Sequence, residues 1–303
     1  MARTYKDSHE TLKPALDPAA AKAIAKKLVE AKNPVLHAGG GILLAQASEE
    51  LAALAEFLDL PVSRTLAGQG CLSDQHPLMV GQTGFWGLEF THSLTTNATW
   101  ILGLAPASAR PTAPAGIRAS PSIPIRPPSC RSTSTPTRLA ATTLWRSAPS
   151  ATEDRPGQIL EEVKKICPKG KSNPELRAQI AKAKAAFKES NAAISSDGRF
   201  PMTPQRILKD VKEVIPEDAI IFTDVGWNKN GVAQEFDITV PGTIHHSSGL
   251  ATMASALPPS WAASWPAPDK IVPDPSPATA ASASTPPAWL LPWRRVSPAP
   301  GWS

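Results

Sequence analysis

The sequence predicts an α/β fold, with a parallel-sheet central domain followed by a truncated second α/β domain. Three observations carry this prediction. Segments with helical spacing of apolar residues alternate with short apolar segments, the first short segment ends in a glycine run, and residues 98–104 are apolar almost throughout. Continuous apolar segments are typical of parallel strands buried on both faces. Helices and strands that alternate in this way indicate βαβ units.

The first hundred residues supply the elements of the central domain. Ala and Leu recur at helical spacing over residues 17–31, behind Asp17, a residue type that favours the helix N-cap. An apolar strand follows and ends in three glycines (Gly39, Gly40 and Gly41). An amphipathic helix over residues 48–60 and a strand with a turn over residues 61–70 continue the pattern.

The second half begins with helices. Helical spacing over residues 157–194 predicts charged surface or linker helices, and residues 203–216 predict an amphipathic helix capped by Thr203. Residues 218–226, DAIIFTDVG, predict a buried strand that ends in a turn. We therefore expect a central domain, a helical linker and a partial second domain. Their predicted bounds are 1–165, 166–200 and 201–303.

Two stretches have a composition unlike the rest of the chain. Residues 105–150 contain nine prolines and six arginines but no Asp or Glu, and residues 254–303 contain twelve prolines and five of the nine tryptophans. The net charge of +5 originates in these stretches, where Arg is scattered among prolines. Since the arginines form no helical or groove-tracking pattern, the basic balance does not indicate a nucleic-acid partner.

Cysteine usage and the N-terminus indicate the compartment. Cys71, Cys130 and Cys167 lack the spacing of paired or metal-ligating cysteines, which favours free thiols in a reducing environment. The N-terminus is polar, without the apolar core of a signal peptide. No apolar run approaches the roughly 20 residues that cross a bilayer. We expect a soluble, cytoplasmic protein without a membrane partner.

Several segments resemble one enzyme family. NPVLHAGGG, LPVSRTLAGQGCLSDQHPLMVGQTGFWG and ATWILGL resemble the central domain of thiamin-diphosphate enzymes of the acetolactate synthase large-subunit type. IIFTDVGWNKNGVAQEF, HHSSGLATM and APDKIV are similar to the start of that family's diphosphate-binding domain. The resemblance implies a carboligase or decarboxylase that uses thiamin diphosphate and Mg²⁺ on a small 2-oxo acid. It also implies a homodimer or homotetramer.

The resemblance leaves the catalytic and metal residues unassigned. The family's catalytic carboxylate lies in a first, pyrimidine-binding domain, and this chain begins roughly where that domain ends. The family holds Mg²⁺ with a Gly-Asp-Gly motif and a later Asn, but at that place residues 277–285 contain neither a carboxylate nor an amide. We therefore assign no catalytic residue and no metal ligand, and we expect the translated chain to be inactive.

A shifted reading frame accounts for the missing motif. Codons for residues 277–285, read from each third base, permit Gly-Asp-Gly-Gly-Phe-Gly-Ile-Asn. The same shift over residues 131–137 permits Val-His-Val-Asp-Thr-Asp-Pro, which is close to a strand of the family's central domain. We infer that residues 105–152 and most of residues 254–303 are encoded out of frame.

The cofactor diphosphate has a candidate cradle directly after the strand at 218–226. The resemblance implies Gly226, Trp227 and Asn228, at a strand's carboxyl end, where turn amides face a ligand. The family commonly has Gln-His after this glycine, so Trp227 and Asn228 are departures. Asn228 can donate to a phosphate oxygen, whereas for Trp227 we expect packing alone. An ordinary strand-to-helix turn is the open alternative.

A second candidate segment would bend the cofactor. SGLATM, residues 248–253, resembles the family's Gly-Leu-Gly-Thr-Met loop. By this resemblance the Ala251 carbonyl accepts from the aminopyrimidine, and Met253 lies between the two rings, a gap that a flexible thioether fills well. A core position for Met253 is the alternative. The implied cofactor residues are Ser248, Gly249, Ala251 and Met253.

The glycine run of the central domain is a candidate nucleotide loop. It is not G-x-G-x-x-G, because Leu44 occupies the last position. Acetolactate synthases bind FAD in this domain, whereas many relatives leave the same fold empty, so a tight packing turn is the favoured alternative. A second segment lies where relatives shape the cofactor or flavin cleft. Its residues are Gln82, Thr83, Gly84 and Phe85.

Two functions compete with the enzyme hypothesis. One is a non-catalytic module that binds FAD or another nucleotide, and the other is a non-functional product of a broken gene. His245 and His246 do not add a metal site, since adjacent histidines on a strand point in opposite directions and no acidic residue flanks them. We expect a loop pair without a metal.

Overall fold

The computed structural model describes residues 16–84, 87–104, 155–247 and 270–272. Helices and strands alternate over the first two ranges, as the sequence predicts. The strands are β1 (Pro34–Ala38), β2 (Val62–Arg64), β3 (Met79–Gln82), β4 (Trp100–Leu104), β5 (Ile221–Thr223) and β6 (Ile244–His246). The first four helices are α1 (Pro18–Glu30), α2 (Gly41–Ala45), α3 (Ser48–Leu58) and α4 (Glu89–Thr96). The others are α5 (Arg155–Ile166), α6 (Pro174–Ser195), α7 (Pro204–Val214) and α8 (Trp227–Glu235).

A four-stranded parallel sheet forms the centre of the first unit. Its strand order is β3-β2-β1-β4, and the middle residue of β1, Leu36, lies opposite Val62 of β2 and Leu102 of β4. All three side chains are fully buried, and burial of this kind explains why β4 is apolar throughout. The α/β fold class with a parallel sheet is confirmed.

Helices cover this sheet with an aliphatic core. Helix α5 packs against both α1 and α3, and the core joins Leu28 of α1, Leu54 of α3 and Ile159 of α5. Helix α1 begins at the predicted cap, since the Asp17 carboxylate accepts from the Ala20 amide at 3.0 Å. The core also contains Cys71, where burial raises the pKa of the thiol to about 12.

The second unit is a smaller parallel arrangement. Strands β5 and β6 pair, with Ile221 opposite Ile244, and Val232, Phe236, Ile238 and Ile244 form its buried cluster. Strand β5 is three residues long, shorter than the strand predicted over 218–226. Its start is displaced because the Ala219 amide turns back to the Pro216 carbonyl at 3.1 Å.

Helix α6 contacts both units and lies within the predicted linker. Near its start, Arg177 pairs with buried Asp59 of the central domain at 2.6 Å. Towards its end, Asn191 donates to Glu235 at the end of α8 at 2.8 Å. The helix therefore fixes the spacing of the two units, while the three domain bounds remain predictions. No helix within the described ranges is long and apolar enough to span a membrane.

Candidate cofactor-binding site

The turn after β5 brings together three predicted cofactor residues. Gly226 is the N-cap of α8, and Trp227 and Asn228 are the first residues of the helix. Gly226, as the N-cap residue, provides no side-chain cap for this helix start. The first amides of a helix have no partner within the helix and can donate to an external anion. The turn is therefore a candidate anion-binding site.

The backbone of this turn requires glycine. Gly226 has φ 121° and ψ −161°, a combination that is essentially restricted to glycine. Buried Asp224 accepts from the Val225 amide at 2.7 Å, and Asn230 donates to the Gly226 carbonyl at 3.2 Å. Side chains before and after the glycine therefore hold the turn in one conformation.

The adjacent strand β6 carries the two predicted histidines. His245 is exposed and stacks on Phe222 with ring centroids 5.0 Å apart, whereas His246 turns inward. The expectation of a loop pair was wrong, because both residues are in strand β6, paired with β5. Among the described residues, no group of three His, Cys, Asp or Glu side chains could hold a metal ion.

His246 is part of a hydrogen-bond chain between the two units. Its Nδ1 lies 2.7 Å from the Thr223 hydroxyl, and its Nε2 lies 2.6 Å from the Gln69 side-chain oxygen. Since an amide oxygen only accepts, Nε2 carries the proton and Nδ1 accepts from Thr223. Burial, followed by the positive charges of Arg64 and Lys229, lowers the pKa of His246 to about 3. The ring is therefore neutral in this chain of bonds.

Two buried central-domain side chains bind the end of helix α8. The Gln69 amide group donates to the Val232 carbonyl at 3.3 Å and to the Phe236 carbonyl at 3.1 Å. Arg64 donates to the Ala233 carbonyl at 3.1 Å and forms an ion pair with Asp74 at 3.1 Å. The carboxyl edge of the central sheet thereby contacts the helix whose other end forms the candidate cradle.

The glycine run of the central domain lies at a close backbone approach. A side chain at Gly40 would come within 2.8 Å of the Ala67 carbonyl, and one at Gly68 within 2.6 Å of the Ala38 carbonyl. Gly41 is buried at the start of α2, and the Gly39 amide donates to the Leu104 carbonyl at 2.9 Å. Packing between neighbouring segments therefore accounts for Gly40 without a nucleotide.

The segment after β3 lies at the same edge of the sheet. Gln82 is buried, the Thr83 amide donates to the Arg64 carbonyl at 3.0 Å, and Gly84 has φ 100°. Within the described part of the chain, the Gln82 side-chain oxygen and the Arg64 Nη1 have no hydrogen-bond partner. Five other predicted residues lie outside the described residues. These are Phe85, Ser248, Gly249, Ala251 and Met253.

Parts of the chain are similar to known proteins. Residues 21–114 match the central domain of thiamine pyrophosphate enzymes. A probable acetolactate synthase large subunit from Methanococcus aeolicus is 29% identical over 270 residues, which cover 83% of this chain and 43% of the relative. Its counterpart from Methanocaldococcus jannaschii is 29% identical over 262 residues, with 78% and 40% covered. Glyoxylate carboligase from Escherichia coli O157:H7 is 42% identical over 82 residues, with 26% and 14% covered.

These comparisons confirm the family resemblance. Residues 21–114 match a thiamine pyrophosphate enzyme central domain, and the chain is similar to acetolactate synthase large subunits. The chain spans about two fifths of the length of these two relatives.

Sequence reasoning missed the residues that join the two units. Arg64, Gln69 and Asp74 lie in or just after a predicted strand, where nothing local distinguishes a buried polar residue from an exposed one. Their partners on α8 are more than 150 positions away, as the separation of 167 between Gln69 and Phe236 shows.

Acid should destabilise the protein through its buried histidines. Burial lowers the pKa of His246 to about 3 and that of His37 to about 4, against about 6.5 in an unfolded chain. Below about pH 6.5 the unfolded state therefore binds more protons, so this stability is fully present above that pH and is lost as the pH falls towards the folded values.

We expect His246→Gln, which keeps a donor for Gln69 but cannot titrate, to reduce the pH slope. The expected reduction is about 1 kcal/mol per pH unit in the free energy of unfolding between about pH 6 and about pH 4. Urea titrations across this range measure the slope. Equal slopes for wild type and His246→Gln would contradict the assignment.

Proposed function

We propose that the chain contributes a thiamin-diphosphate site to a carboligase or decarboxylase of 2-oxo acids. The observation that carries the proposal is the start of α8 behind Gly226, an N-cap residue without a side chain, after the carboxyl end of parallel strand β5. Such helix starts favour anions through both their free amides and the helix dipole. The relationship to thiamine pyrophosphate enzymes supports the cofactor diphosphate as this anion.

The residues at this turn would bind and orient the cofactor. The first amides of α8 would donate to the diphosphate oxygens, and Gly226 would let the backbone approach them without a side chain in between. Lys229, which donates to the Ser247 carbonyl at 3.3 Å, adds positive charge near the helix start. When bound, thiamin diphosphate supplies stabilisation of a carbanion next to the substrate carbonyl.

The Mg²⁺ part of the proposal depends on the second out-of-frame stretch. Residues 277–285 contain no carboxylate or amide, which are the oxygen ligands that Mg²⁺ prefers in proteins. We infer that the intact gene encodes Gly-Asp-Gly at this place and that the chain as translated turns over no 2-oxo acid. The proposed substrates belong to the class of 2-oxo acids.

An FAD site in the central domain gains no support from the glycine run. Gly40 is required because its backbone approaches the Ala67 carbonyl, and α2, which follows, is only five residues long. The unpartnered Gln82 oxygen is an acceptor that a bound water satisfies equally well. We therefore favour thiamin diphosphate, rather than FAD, as the ligand of this chain.

The proposed cradle predicts the effect of a substitution at Gly226. Gly226→Ala should weaken binding of thiamin diphosphate about tenfold, because alanine cannot hold the observed backbone conformation without strain of about 1–3 kcal/mol. Isothermal titration calorimetry at millimolar cofactor measures the change. Gly242→Ala is the matched control: Gly242 also has a positive φ, 78°, but no atom lies within 4 Å of an added side chain. Equal loss of affinity in both variants would contradict the proposed cradle.

The inferred frame shift predicts specific bases in the gene. If residues 277–280 conceal Gly-Asp-Gly, the third bases of codons 277, 278 and 279 are all G, because GGC, GAC and GGC then overlap the printed codons. A base insertion or deletion should also lie near each end of the two stretches. Sequencing of the gene decides this. Codons that forbid Gly-Asp-Gly at this place would refute the frame shift while leaving the α8 turn unaffected.

A further inference from the structure

Helix α8 is poorly suited to hold its own position. Its sequence, WNKNGVAQE, contains two asparagines and a central glycine, and glycine in a helix interior costs about 0.5–1 kcal/mol relative to alanine. Nine residues form little more than two turns, which is short for a helix that must be stable alone. Its position therefore depends on contacts at its end and along its buried side.

The carboxyl end of α8 receives three hydrogen bonds from the central domain. The last carbonyls of a helix lack partners within the helix, and here Gln69 binds Val232 and Phe236 while Arg64 binds Ala233. Both side chains are almost completely buried, with 1% and 2% exposed. The guanidinium charge also lies at the negative end of the helix dipole.

Further contacts fix these two side chains. The Gln69 oxygen accepts from His246, so the whole side-chain amide is hydrogen-bonded. Asp74 binds Arg64 at 3.1 Å and accepts from the Ile238 amide, three residues beyond the end of α8, at 3.0 Å. The central domain therefore holds α8, the segment that follows it, and strand β6 in one hydrogen-bonded arrangement.

We propose that Gln69 and Arg64 are positioning residues for the turn at Gly226: by holding the carboxyl end of α8, they set where its first amides lie. This inference rests on the proposed function, since it assigns the central domain a role in cofactor binding without contact to the cofactor. The two ends of the nine-residue helix are about 13 Å apart at 1.5 Å per residue. Because a helix transmits a shift of one end to the other, the effect does not require a direct contact.

Gln69→Glu tests the proposal with little change in shape. The carboxylate keeps an acceptor for His246 but loses both donors to the α8 carbonyls. We expect backbone amides in residues 227–236 to exchange with deuterium about tenfold faster, as the loss of two buried hydrogen bonds implies. Amides of α3, residues 48–58, should exchange at the wild-type rate. Gln69→Leu removes all three bonds without placing a negative charge near Arg64. It should give the same exchange pattern, which excludes an effect of the carboxylate on Arg64 as the cause.

Lys184→Met is the matched control at the same junction. Lys184 donates to the Asp74 carbonyl at 2.8 Å and to the His76 carbonyl at 3.0 Å, both in the central domain. Its removal should leave exchange in residues 227–236 within about twofold of wild type. Unchanged exchange there in both Gln69 variants, or equal acceleration in α3, would overturn the positioning role.

Calorimetry with thiamin diphosphate separates this inference from the proposed function. If both hold, Gln69→Glu weakens the cofactor about tenfold and Lys184→Met does not. Should the wild-type chain bind no thiamin diphosphate, the cofactor assignment fails, and the exchange pattern alone decides whether Gln69 positions the turn. Wild-type cofactor affinity in Gln69→Glu, together with faster exchange in α8, would contradict the link between helix position and binding.

Discussion

The buried ion pair between Arg64 and Asp74 is the contact on which the arrangement of the two units depends. Both side chains are nearly inaccessible to solvent, and removing one partner of such a pair typically costs about 3–5 kcal/mol because the other charge is left buried. Here Arg64 also donates to the Ala233 carbonyl and Asp74 accepts from the Ile238 amide, both in the second unit. These two bonds form only when the two units are together.

Parallel strands explain why this contact lies beside the candidate site. All strands of the central sheet end at the same edge, so Arg64 at the end of β2 and Gln82 at the end of β3 become neighbours. The second unit places the carboxyl end of α8 and strand β6 against this edge. Ligands of open α/β sheets bind outside the carboxyl ends of strands. In the second unit the start of α8 follows the carboxyl end of β5, and this is where the proposed cradle lies.

Local sequence signals predicted the helices and strands, but they did not predict the contacts between the two units. Helix α1 begins behind Asp17 and α7 behind Thr203, as the caps indicate, because caps and periodicity act over a few residues. Strand β5 was predicted too long, since its first residues instead turn back on Pro216 and pair with Ile271. The bond between Gln69 and Phe236 joins positions 167 residues apart, and no local pattern encodes such a pairing. Gly226 was predicted from a motif, but its need for glycine became clear only from its backbone angles.

The most direct test compares the chain as printed with a chain in which both reading frames are restored. Titration of each with thiamin diphosphate, with Mg²⁺ and with EDTA, measures whether the missing acid completes the site at α8. We predict that the restored chain binds the cofactor at least about tenfold more tightly in Mg²⁺ than in EDTA, a difference of about 1.4 kcal/mol, while the printed chain shows no such dependence. Equal affinities for the two chains, or a restored chain indifferent to Mg²⁺, would contradict the account.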